Sequence, residues 1–244
     1  MSDRTFETSP QFYARIGGVL YLVLILVGMF AVIFVRGKLV IPGDATVTAY
    51  NILMSPTLWR VGIVADLFTH VLDVPIMLII YLLLRPTNKN LALLALLFTA
   101  VQTAVLVANE FNLLMPLFLS GNAEYLMSFD PQKLNALSYV ALKLYDNGFG
   151  IGLVFFGFAC LAEGYLIFKS GYLPRTIGVL MAIAGVCYLT QSFALLLVPQ
   201  VANALFPAIM LPCFVAELSF CLWLIARGVD VPQWQRRAIA LRTG

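Results

Sequence analysis

The chain has 244 residues, 61% of them hydrophobic and 11% charged, with a formal net charge of +3 and a mean hydropathy of +0.94. Soluble domains carry about 25% charged residues, so this composition excludes an ordinary water-soluble domain and makes the lipid bilayer the first partner. The positive charge is too weak and dispersed for nucleic acid, and no stretch is low in complexity.

The first apolar run, Ile16 to Val35, follows Arg15. It is too long for the apolar part of a signal peptide, and no A-x-A-like cleavage site follows it. We therefore expect an uncleaved first transmembrane helix. Pro42-Gly43-Asp44 reads as a turn followed by a helix N-cap, so Ala45 to Met54 is expected as a short helix on the outer surface.

The second run, Leu58 to Leu84, contains Asp66, His70 and Asp73. Their spacing, four then three, places them on one stripe of a helix. Ionisable groups in hydrocarbon cost roughly 2.5–3.5 kcal/mol each on insertion scales, so they face a partner or a cavity. The third run, Leu91 to Leu119, carries Gln102, Asn109, Glu110 and Asn112. Gln102 and Asn109 share a face, and Glu110 points about 100° away from Asn109.

Asp130-Pro131 is a helix start, with Asp as N-cap and Pro in the first turn. The fourth run, Ser138 to Phe168, carries Lys143, Asp146, Asn147 and, toward its inner end, Glu163, which reads as solvated. Gly148-Phe149-Gly150-Ile151-Gly152 is not a nucleotide loop, because no strand precedes it. It reads as a small-residue helix face or a kink. The fifth run, Thr176 to Val198, carries Gln191, and the sixth, Pro207 to Ala226, carries Glu217. Pro75 and Pro116 are expected to break the second and third helices at similar depth.

Six runs of about 20 residues or more each suffice to cross about 30 Å of hydrocarbon, and only helices satisfy their backbone there. The expected fold is all-α, a polytopic bundle of six transmembrane helices in residues 1–228, with a basic cytoplasmic tail in 229–244. With the N-terminus inside, ten Lys and Arg fall on the inner side, among them Arg4 and Arg242, against Arg36, Lys38, Arg60 and Lys133 outside. That asymmetry puts both termini in the cytoplasm, with Arg36 and Lys38 snorkelling to the interface. Cys160, Cys187, Cys213 and Cys221 all lie in apolar runs and show no zinc-site or CxxC spacing, so they read as packing residues.

In this topology most polar groups gather in the outer half or the middle of the membrane. The candidate ligand-binding residues are Asp66, His70, Asp73, Asn109, Asn112, Lys143, Asp146 and Glu217. Each also has a structural reading: Lys143 and Asp146 as an i, i+3 pair, and Asn109, Asn112 and Gln191 as interhelical hydrogen-bond donors and acceptors. Asp66, His70 and Asp73 have the chemistry zinc or manganese accept, but in no standard spacing. No G-x-S-x-G accompanies the single His.

Asp73-Val74-Pro75 through Tyr81 to Arg85-Pro86-Thr87-Asn88-Lys89-Asn90-Leu91, Gly148 to Gly157, Gly164-Tyr165-Leu166, Ser170-Gly171-Tyr172-Leu173-Pro174, and Glu217-Leu218-Ser219 with Leu222-Trp223-Leu224 form a recognisable set. With these motifs the chain resembles the bacterial membrane proteins of domain-of-unknown-function family 4386, from about Ala14 to Gly228. The resemblance implies a bacterial inner-membrane, multi-pass protein of about six helices and implies no activity or cofactor. Asp73, Glu217 and Gly148 to Gly152 match its pattern. The family often carries a His near the position of Asp146, absent here, which bears against a metal or His-pair mechanism.

Three functions remain open at this stage. One is a carrier or binder of a small solute or ion through an intramembrane acidic pocket. The second is a metal-dependent intramembrane enzyme with Asp66, His70 and Asp73 as ligands and Glu217 as acid or base. The third is a non-catalytic membrane subunit or sensor. A homodimer through small-residue faces around Gly148 or Gly178 is compatible with each.

Overall fold

The computed structural model describes residues 9–119 and 124–243. Arg4, counted in the inner charge, lies outside the described residues, as does the side chain of Arg242. All regular elements among the described residues are helices. Five are long and apolar enough to cross a membrane, and six crossings result if one pair bent by 55° counts as a single span. The protein is therefore all-α and polytopic.

α1, Pro10–Met29, continues as a π-helical stretch, Phe30–Arg36, and a last turn, Gly37–Leu39. The widened π turn falls where the predicted span ends and carries Arg36. α2, Ala45–Met54, is capped by Asp44, whose carboxylate accepts the Val47 N–H at 2.9 Å. α3 is Pro56–Leu84. Contrary to expectation, it runs through Pro75 unbroken. A proline removes a single backbone donor, and a membrane helix tolerates that when neighbouring groups satisfy the freed carbonyl.

The third span, Lys89–Leu119, crosses as one piece, and its irregular turn does not fall at its proline. α4, Lys89–Asn109, stops at Glu110, and α5, Phe111–Leu119, resumes with Pro116 inside it. The Glu110 N–H is shared between the carbonyls of Leu106 and Val107 at 3.2 and 3.3 Å. α6, Pro131–Ser170, starts where Asp130-Pro131 predicts, and the Asp130 carboxylate accepts the Gln132 N–H at 2.9 Å. Its 40 residues span about 60 Å, twice the hydrocarbon thickness, and the helix is continuous across Gly148 to Gly152. α7 is Arg175–Leu197, followed by the bent pair α8, Pro199–Leu205, and α9, Met210–Ala226. The segment expected as a tail is a helix, α10, Val231–Thr243.

Packing resolves two compact units: Met1–Val23, Leu72–Thr103 and Gly150–Gly244 in the first, Leu24–Val71 and Ala104–Phe149 in the second. In the first, α6 and α7 approach at backbone distance. A Cβ at Gly164 would lie 2.7 Å from the Gly178 carbonyl oxygen, and one at Gly178 would lie 2.6 Å from the Phe168 nitrogen. Close approach of small residues is how membrane helices gain dispersion energy without a hydrophobic drive.

At one end of this unit, Pro86 terminates α3. The Leu83 carbonyl there accepts the Tyr172 hydroxyl at 2.8 Å and the Trp234 indole N–H at 2.9 Å. Burial keeps the Tyr172 hydroxyl protonated well above its ordinary range, so it remains a donor. Gln11 bridges to the loop after α9, donating to the Arg227 carbonyl at 2.7 Å and accepting the Val229 N–H at 2.9 Å.

The second unit is built on a buried cluster of Val35, Leu39, Ile52, Trp59, Leu113, Leu142 and Tyr145. The Trp59 indole N–H donates to the Leu113 carbonyl at 2.8 Å, so a large apolar ring is buried with its polar edge satisfied. The four cysteines are free thiols, and Cys160, Cys213 and Cys221 are buried.

Candidate functional site

In the second unit the polar groups pair off along α3. The Arg36 guanidinium, delivered by the π turn, donates both terminal nitrogens to the Asp66 carboxylate, Nη2 to Oδ1 at 3.3 Å. The pair is largely buried, with side-chain exposures of 18% and 8%, and the Tyr145 ring lies under the guanidinium at 5.3 Å. One turn along, His70 Nε2 lies 3.5 Å from Glu110 Oε1, both side chains buried. The second carboxylate oxygen of Glu110 is also buried and has no hydrogen-bond partner among the described residues.

Asn109 donates to the Tyr145 carbonyl at 2.9 Å, and Asn112 donates to Asn109 Oδ1 at 2.9 Å. The Asn109 side chain occupies the space that a Cβ at Gly148 would take. Lys143 and Asp146 stand apart from this network. They face each other at 3.4 Å with side chains more than half exposed.

The first unit holds the remaining acids. Asp73 accepts the Thr103 hydroxyl at 3.2 Å. Glu217 accepts the Tyr188 hydroxyl. Glu163, expected to be solvated, is buried at 6% exposure, because its face of α6 packs into the protein. Asp66, His70 and Asp73 thus share a helix, and each meets a different partner.

Two residues of this network escaped the sequence candidates. The sequence places Arg36 as a snorkelling interfacial cation and Glu110 on a different face from Asn109. The signal for both was present. A lone cation and a lone anion within apolar sequence each demand a counter-charge, and Asp66 and His70 were waiting for one.

Among the described residues no three His, Cys, Asp or Glu side chains converge as a metal site. The faces around Gly148 and Gly178, expected to serve a homodimer, are filled from within the chain by Asn109 and by Phe168 and Gly164.

A buried Arg36–Asp66 pair and the polar contacts around it, set among apolar spanning helices, define a multi-pass membrane protein with an intramembrane polar network. The chain belongs to the family described as "Domain of unknown function (DUF4386)", which matches residues 16–228. It is also similar to an "Uncharacterized protein" of Archaeoglobus fulgidus, 27% identical over 175 residues, 72% of this chain and 87% of the relative. No solved structure matches the chain.

Proposed function

We propose that the protein is a carrier of a small solute or ion, in the cytoplasmic membrane with both termini inside. The single observation that supports this reading is Glu110. Its carboxylate is buried beside His70, with one oxygen lacking a hydrogen-bond partner among the described residues. Ionisable groups buried within spanning helices commonly mark substrate and ion pathways. A purely structural network has no need to leave a carboxylate oxygen unsatisfied in a low-dielectric interior. The Lys and Arg asymmetry of the loops supports the orientation.

The test is electrometry on proteoliposomes exposed to concentration jumps of sodium, potassium, protons and a panel of amino acids and organic anions. Carriage gives a transient current for at least one solute. That current disappears in Glu110→Gln and weakens in Asp73→Asn. Silence across the panel, or a current both variants keep, overturns the reading.

A further inference from the structure

One end of the first unit encloses an open cleft of about 830 Å³. Four segments meet there: the start of α1 at Gln11, the α6–α7 loop, the end of α9 at Trp223 and Arg227, and the start of α10. All of them belong to the first unit. The apolar helix α6 ends beside the cleft at Ser170, α7 begins at Arg175, and α9 ends at Ala226. The cleft therefore lies where hydrocarbon gives way to headgroups. Trp223, whose Nε1 donates to the Gly228 carbonyl at 3.1 Å, stands where interfacial aromatic residues gather.

The walls are mostly apolar, with Leu173, Trp223, Val229 and Pro232 among them. Two cations border them. Arg227 lines the cleft and is exposed. Arg237 of α10 reaches it as well: its Nη2 is 4.0 Å from the place of a Cβ on Gly171, itself a lining residue. The acid at the cleft is already engaged. Asp230 caps α10, accepting the Gln233 N–H at 3.1 Å and the Gln233 side-chain amide at 3.0 Å. Neither guanidinium is held by a carboxylate among the described residues. The frame is fixed by Gln11, which ties down the loop after α9. Gly228, at φ +67°, leaves no room for a Cβ beside Gln11.

We propose that this cleft binds the phosphodiester headgroup of an anionic phospholipid. Arg227 and Arg237 take the phosphate oxygens, for which a guanidinium fork is suited. The apolar walls take the glycerol and the first acyl carbons. Two cations against one acid leave an excess of positive charge, which favours an anionic headgroup over one that carries its own cation. Apolar walls beside the cations favour a lipid over free phosphate, which has no apolar part to bury. This site stands whether or not the chain carries a solute.

The test is native mass spectrometry of the full chain released from nanodiscs of equal parts phosphatidylglycerol and phosphatidylcholine. Phosphatidylglycerol is expected to stay bound in excess over phosphatidylcholine. Arg227→Gln and Arg237→Gln each lose part of that excess, and the double variant loses about tenfold, as removal of charge-assisted contacts implies. Arg60→Gln with Lys133→Gln removes the same charge at exposed positions of the second unit and keeps the excess. Equal retention of the two lipids by the parent, or equal losses in the two double variants, overturns the site. Inorganic phosphate is then added to the parent. A lipid adduct that persists supports the lipid, and one that phosphate displaces overturns it in favour of a soluble anion. Monodisperse elution verifies that each variant is folded.

Discussion

His70 Nε2 and Glu110 Oε1 stand 3.5 Å apart, one from the middle of α3 and the other from the turn that joins α4 to α5. The helix that carries His70 holds the imidazole in place. At the joint that carries Glu110 the backbone N–H still bonds the Leu106 carbonyl one turn back.

Removing one member of this pair strands the other. His70→Ala is expected to destabilise the protein by about 1–3 kcal/mol, the usual cost of leaving a buried polar group without its partner. The double variant His70→Gln with Glu110→Gln recovers much of that loss. Thermal unfolding of the detergent-purified proteins measures both, and additive losses would show that the two side chains do not interact.

Arg36 and Asp66 follow the same logic with a sharper geometric demand. Lys has one ammonium where Arg presents a planar fork, so Arg36→Lys is expected to lose stability despite keeping the charge. Asp66→Asn leaves the guanidinium buried under Tyr145 and should cost more than Arg36→Gln paired with Asp66→Asn. A stability series in which Arg36→Lys matches the parent would contradict the two-point contact.

The α6–α7 contact separates glycines that are needed from those that are not. Gly178→Val and Gly164→Val place a side chain against backbone at 2.6–2.7 Å, and monodisperse protein on fluorescence size exclusion should be lost. Gly28→Ala meets only a Thr69 methyl at 3.9 Å, an ordinary van der Waals distance, and should elute like the parent. Equal behaviour of the three variants would mean that α6 and α7 do not pack at backbone distance.

Trp234→Phe keeps the buried ring and deletes the N–H that reaches the Leu83 carbonyl. The expected loss is about 1–2 kcal/mol, and hydrogen exchange in α10 should accelerate while α7 stays protected. Unchanged exchange in α10 would show that packing alone holds this helix.

Much of the architecture was legible because hydrocarbon leaves few options. Runs of apolar residues, the Asp44 and Asp130 caps and the Pro131 start each encode a local rule, and α2 and α6 begin where those rules put them. The positions of Pro75 and Pro116 misled, since one missing N–H does not oblige a helix to break. The irregular turn at Glu110 has no helix-breaking residue to announce it.

Partnerships were less legible than positions. Helical spacing grouped Asp66, His70 and Asp73 correctly on α3, yet spacing within one helix says nothing about which residue of another helix comes opposite. Arg36 looked interfacial because it ends an apolar run. The π turn that brings it to Asp66 has no sequence signature. Glu163 looked solvated because depth was counted from the nearest loop, whereas burial depends on which face of α6 the residue occupies.

The Leu83 carbonyl has a consequence for synthesis. Its partners lie 89 and 151 residues later in the chain. At roughly 5–20 residues per second, the ribosome delivers Trp234 about 8–30 s after Leu83. Through that interval the end of α3 lacks its indole donor, and water, lipid headgroups or the insertion machinery must stand in.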